Sequence, residues 1–268
     1  VPFHMWVPDV YHGAPTSVAA FVGTAPKIAA VVFAFRILVT GLGTVHHDWS
    51  QMFAVLAVAS LLIGNLAAIM QANIKRMLAY STISHMGFIL LAFMAGAVGF
   101  AAGLYYAITY ALMAAVGFGI LMVLSTDNIE CEEIKDLAGL NQRHAWFAFL
   151  MLLAMFSMAG IPPLMGFYAK FGVIKALLSA STAQNAAMAS STYIVLAVFA
   201  VVMSLIGAFY YLRVVKVMYF DESAHDQPVG SNYVAKFFLS VNAFLLILWG
   251  IMPQTVIDWC ARALENTL

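Results

Sequence analysis

The chain has 268 residues, 64% of them hydrophobic and only 9% charged, where an ordinary soluble domain carries roughly a quarter charged residues; a soluble globular fold is excluded. Twelve basic and twelve acidic residues cancel, which leaves neither the basic footprint of a nucleic-acid binder nor a polybasic membrane anchor. Cys131 and Cys260 stand far apart in no CxxC or Cys/His spacing, so zinc sites, iron–sulfur clusters and disulfide frameworks have no ligands here.

The chain opens on Val1 with no charged-then-apolar signal region, so its start reads as an interior position of a longer protein. Residues 1–14 are expected to be the end of a preceding transmembrane helix and a connecting segment. In it His4 is a candidate polar group, and Trp6 and Tyr11 suggest an interfacial aromatic belt. Residues 15–268 read as one transmembrane domain. Crossing the hydrocarbon takes about 20 mostly apolar residues, and seven such stretches are expected: 15–41, 52–70, 76–97, 100–125, 145–179, 192–218 and 235–257. Polar links separate them, with His46, His47 and Asp48 after the first, the charged run 127–143 after the fourth, and a polar loop at 221–232. The fold class is an all-α polytopic transmembrane helix bundle.

Lys75, Arg76, Lys135, Arg143, Arg213, Lys216 and Lys236 fall on one side of the membrane, Arg36 and Arg262 on the other. Basic residues collect in the cytoplasm, so the first span starts there and the C-terminus ends outside. Three lysines remain. Lys175 lies near the outer end of its span, where it can snorkel. Lys27 and Lys170 lie about midway, where an ammonium costs a few kcal/mol unless paired, hydrated or deprotonated.

The span 145–179 is too long for one straight crossing, since about 35 residues of helix measure about 50 Å. Pro162 and Pro163 near its centre remove two donors and disfavour helix before them, so a break is expected there. Unwound backbone beside a buried charge marks ion pathways in transporters; Lys170 stands two turns beyond. Pro26 beside Lys27 repeats the pattern in weaker form, with simple bending as the alternative. His85, amid Ser81, Thr82 and Ser84, and Tyr106 with Tyr110 at i, i+4 on one face are possible relay groups, although buried packing accounts for such residues too.

Three stretches carry a family resemblance: Pro2–Pro15 (PFHMWVPDVYHGAP), Asn73–Gly87 (NIKRMLAYSTISHMG) and Ser157–Phe171 (SMAGIPPLMGFYAKF). They resemble the subunit N family of bacterial proton-pumping NADH:quinone oxidoreductase, complex I, and Gly139–Leu140 fill the place of the family's Gly-Leu pair. The resemblance implies an antiporter-like subunit built on inverted five-helix repeats, of which this chain looks like the eighth to fourteenth helices and the end of the seventh. Lys27 then resembles the central lysine of the eighth helix, Lys170 the terminal lysine of the broken twelfth, and His4 lies in the motif closing the seventh. In the related subunits L and M, histidines stand about where Tyr106 and Tyr110 are, which favours subunit N.

The implied function is part of a proton-translocation channel coupled to quinone reduction in the bacterial inner membrane, Lys27 passing a proton toward Lys170. No cofactor or metal is expected in this chain; NADH, FMN, iron–sulfur clusters and quinone would belong to other subunits. Expected partners are the neighbouring antiporter-like subunit, the small membrane subunits and lipids, with no nucleic acid. Multi-subunit sodium/proton antiporters and membrane-bound hydrogenase-type complexes are the alternative, and a purely structural membrane scaffold would share the hydropathy.

Overall fold

A computed structural model describes residues 1–125, 130–183, 187–222 and 233–265; the start of the charged run at 127–129 and most of the loop expected at 221–232 lie outside these. The described chain is helical, with a single isolated bridge between Asn73 and Glu133. Among the described residues six helical stretches are long and apolar enough to cross a membrane, and the remaining expected passage, 145–179, is split in two.

Helix α1 (Trp6–Gly13) lies on the bundle rather than in a belt: Trp6 is exposed, but Tyr11 is 1% exposed and packs edge-on to Phe118. The belt reading of Tyr11 is therefore corrected, because the residue faces inward from its helix. The expected span 15–41 is interrupted. Helix α2 (Thr16–Gly23) stops at Thr24, whose backbone (φ −121°, ψ −90°) is not helical, and α3 (Ala25–Arg36) restarts with Pro26 in its first turn before a π-turn at Ile37–Gly41. Proline suits a first turn, where no N–H is needed, so Pro26 begins a new helix instead of bending an old one.

His46, His47 and Asp48 form no link. They open α4 (His46–Ile69), where Asp48 complements the helix N-terminus and Trp49 Nε1 donates to the Leu42 carbonyl at 3.1 Å. Helix α5 (Ile74–Met94) starts two residues earlier than expected, capped by Asn73, whose side chain accepts from the Arg76 amide at 3.0 Å. Helix α6 (Gly96–Leu124) follows after a one-residue turn.

The broken passage begins with α7 (Leu140–Ala159), kinked at His144 (φ −151°, ψ 78°), so its straight part starts where the sequence placed the span. Gly160 (φ +88°) ends it, and α8 (Met165–Ser181) resumes beyond Pro162 and Pro163. Helix α9 (Ser190–Phe220) spans unbroken. The expected span 235–257 divides into α10 (Tyr233–Ile251) and α11 (Pro253–Glu265), because Pro253 opens a new helix and disfavours helical backbone just before it. On α11, Val256, Cys260 and Leu264 recur every four residues and are buried, while Asp258 and Arg262 take other faces; this is an amphipathic helix lying on α6.

The core is organised around α5, most of which is buried, with α1, α4, α6, α8 and α9 packed about it. Its closest crossing is with α4. A Cβ on Gly64 would sit 2.6 Å from the Ser84 amide and one on Gly87 2.9 Å from Leu61 Cγ, so small residues set how near the two backbones come.

Candidate functional site

Three helices bring polar groups to one interior strip. On α5, Lys75, Ser81, Thr82 and His85 are all buried, His85 to 3% exposure. Thr82 Oγ1 donates to the Leu78 carbonyl of its own helix at 2.9 Å, leaving its lone pairs for neighbours. Tyr106 and Tyr110 of α6 and Tyr211 of α9 point at this strip from either side, all 1% exposed.

At one end the half-buried Lys27, in the first turn of α3, donates to Tyr11 Oη at 3.0 Å and Thr82 Oγ1 at 3.4 Å, with its ammonium 4.5 Å from the centre of the Tyr110 ring. Thr82 and Tyr110 are hydrogen-bonded to each other. A cavity of about 500 Å³ opens beside Lys27, lined also by His4, Tyr11 and Thr82. His4 lines its wall, yet its Nδ1 is engaged with the Pro2 carbonyl at 3.1 Å.

Next along the strip, His85 Nδ1 lies 2.7 Å from Tyr106 Oη and Nε2 2.9 Å from Tyr211 Oη, and Tyr211 also bonds to Ser81. A neutral imidazole offers one donor and one acceptor, so one phenol donates to His85 while the other accepts from it. Among the described residues the Lys27 and His85 groups meet through ring faces, His85 and Tyr110 having centroids 4.9 Å apart.

Lys170 closes the strip from α8. It is 8% exposed, and its ammonium donates to the Ala159 carbonyl and to Ser204 Oγ of α9, each at 2.9 Å. Ala159 is the last residue of α7, so the cation sits on the carbonyl-rich end of that helix. Lys170 reaches it because Gly160 intervenes; a Cβ there would lie 3.0 Å from Lys170 Cδ. The halves are held close elsewhere too: Gly166 donates its N–H to Ser157 Oγ at 3.1 Å, and a Cβ on it would collide with the Ser157 carbonyl at 1.9 Å. Phe88 separates this end from the imidazole, stacked on Tyr106 with its centroid 5.7 Å from Lys170 Nζ.

The structure thus brings Lys27, His85, Tyr106, Tyr110 and Lys170 into one strip and leaves His4 on the cavity wall. Tyr211, Ser204 and the inward role of Tyr11 were missed in the sequence; Ser204, Gly207 and Tyr211 recur at i, i+3, i+7, a stripe that periodicity would have exposed. Also missed was the ion cluster around the buried Lys75 at the start of α5. Lys75, 1% exposed, pairs with Glu130 and with Glu132 at 2.9 Å, while Thr16 Oγ1 donates to Glu130 at 3.1 Å.

Two interrupted spans, each with a lysine beside its break, around a buried helix bearing hydroxyls and an imidazole place the chain among the antiporter-like membrane bundles. Residues 1–199 match the family described as NADH:quinone oxidoreductase/Mrp antiporter, TM, and the chain belongs to that family. It is 80% identical over 269 residues to NADH-quinone oxidoreductase subunit N of Neisseria gonorrhoeae, covering 100% of this chain and 54% of that protein; the chain spans about half the length of the curated relatives it matches. Among solved structures it is similar to a chain of respiratory complex I from Thermus thermophilus, with TM-score 0.80 and 29% identity over 96% of this chain and 54% of that one. A chain of the Mrp complex from Dietzia shares the fold, with TM-score 0.83 and 20% identity over 99% of this chain and 56% of that one.

Proposed function

We propose that the chain is a proton-conducting part of subunit N of a bacterial NADH:quinone oxidoreductase. The reading rests on one observation above all: two lysines at opposite ends of an interior strip of phenols, hydroxyls and one imidazole, inside a bundle otherwise built of apolar helices. A proton reaching Lys27 passes by way of Thr82 and Tyr110, crosses the His85–Tyr106–Tyr211 group, and loads or leaves Lys170. Water carries it where ring faces interrupt the hydrogen bonds, at Tyr110 and at Phe88. An ammonium in an apolar interior is held weakly enough to release its proton, which suits lysine to this task.

NADH, FMN, the iron–sulfur clusters and quinone belong to other subunits of the same complex, which sits in the inner membrane with the neighbouring antiporter-like subunit, the small membrane subunits and lipid around this chain. The residues from Glu130 to Arg143 face the cytoplasm and α11 faces outside. Support comes from the named relatives and from the charge distribution. The sodium/proton antiporter alternative is supported by shared fold alone.

The test is Lys170→Ala in the assembled complex. Proton pumping and coupled quinone reduction fall at least severalfold, while NADH oxidation by artificial acceptors, which bypasses the membrane arm, is retained. Loss of both activities at normal assembly, or of neither, rejects the assignment.

A further inference from the structure

At the end of the bundle away from Lys75, four helices leave a cavity of about 650 Å³, within the range of about 300–1,000 Å³ typical of small-molecule sites. The π-turn end of the first span, the start of α6, the end of α8 and the inner face of α11 each contribute one stripe of side chains. The cavity exists because those stripes carry small residues where they face one another, Ala101 of α6, Gly172 of α8 and Ala261 of α11, with Phe35 closing one side. An apolar void of this size is a poor place for water and forfeits dispersion contacts when empty.

Its few polar groups are arranged unequally. Tyr168, Gly172 and Lys175 follow each other at i, i+4, i+7 on one face of α8, so the stripe passes from aromatic wall to cation toward the helix end. Lys175 is exposed and has no ion-pair or hydrogen-bond partner among the described residues. Deeper, Tyr105 is 1% exposed and adds its ring to the wall, its hydroxyl presenting no accessible surface to the cavity. On the roof, Gln254 donates to Asp258 at 2.7 Å, and Lys175 is the one cation among the residues lining the cavity. An amphipathic helix laid across the ends of spanning helices is the arrangement found at the headgroup boundary of a bilayer.

We propose that this cavity holds one anionic phospholipid: an acyl chain fills the apolar slot and the phosphate rests on the Lys175 ammonium. Charge selects the lipid class, since a zwitterionic headgroup gains less from a lone lysine, and the slot selects a lipid over a helix. The inference does not depend on the proton path.

The probe is phosphatidylglycerol with a photoactivatable acyl chain, compared with the matching phosphatidylcholine, in membranes containing the full-length subunit in its assembled complex. Labelled peptides are mapped after illumination. Label from phosphatidylglycerol is expected within 97–105 and 254–264, and Lys175→Gln lowers it about fivefold, the weight of one lysine–lipid contact. Ala101→Phe, which fills the slot, abolishes it. Lys175→Gln alters an exposed side chain, so it keeps the test valid if Ala101→Phe misassembles. Equal labelling by the two lipids, no effect of Lys175→Gln, or no label in these segments because another chain covers them would each overturn the proposal.

Discussion

Lys27 and Lys170 differ in the company they keep, and the difference matters for what each does. Lys170 is fixed by a helix-end carbonyl and a serine, both neutral acceptors, whereas Lys27 faces two hydroxyls and the face of a phenol ring. Neither has a carboxylate among its described partners, so nothing locks either lysine into its charged form. Lys27→Arg separates a switching charge from a fixed one, because guanidinium does not deprotonate in proteins. Pumping by the assembled complex is expected to fall about as far with arginine as with Lys27→Ala; near-normal pumping by the arginine variant would leave Lys27 as a permanent counter-charge. Both lysines were legible in the sequence because a charge within an apolar run stands out against its neighbours. Tyr211 was not, since tyrosine is common on apolar helices and its meaning depends on α9 lying against α5, a pairing between residues more than 120 apart.

At the level of elements, helix interruption was half legible. Two adjacent prolines announced the break between α7 and α8, but a single proline at Pro26 signals a bend and a fresh helix start equally well, and the choice was made by Thr24. The final amphipathic helix was hidden because its apolar residues merged with those of α10. Loop-to-helix contacts were hidden as well, above all the one at the start of α5. There the segment around Glu130–Ile134 is stitched to α5 by backbone, with Ile74 N–H donating to the Glu132 carbonyl at 2.7 Å and Ile134 N–H to the Ala72 carbonyl at 2.9 Å, and by the Lys75 ion cluster. The hydrogen bond from Lys75 holds the Glu130 carboxyl below its ordinary range. A carboxylate with a lowered folded-state pKa contributes stability that is present above the ordinary glutamate range and lost as pH falls through its folded value. The clamp should therefore loosen in acid. Glu130→Gln with Glu132→Gln strips Lys75 of its counter-charges, at a cost of about 1–3 kcal/mol, and should make the loop as protease-sensitive at neutral pH as the unaltered loop becomes in acid. Equal protection of variant and parent at neutral pH would show that the backbone contacts alone hold it.

For the molecule as a whole, orientation is the property that basic residues encode and that helix packing cannot, because a bundle packs equally well either way up. Lys135 and Arg262 are exposed and lie at opposite ends, so each can be replaced by a reporter cysteine, the native Cys131 and Cys260 being buried. In intact cells with a permeabilised outer envelope, an impermeant maleimide should modify Arg262→Cys at once and Lys135→Cys only after the inner membrane is opened; the reverse pattern would invert the topology. The central placement of α5 carries a consequence for biogenesis. Among the six stretches long and apolar enough to cross a membrane it has the lowest hydropathy and the largest buried share, so it meets lipid over very little of its surface and partitions into the bilayer least readily by itself. Its own sequence supplies a weak insertion signal, and its residence in the membrane is secured by α4, α6 and α9 closing around it. The segment that carries most of the polar strip thus depends on its neighbours to stay in the membrane, and assembly of the bundle becomes the step at which a faulty strip is detected.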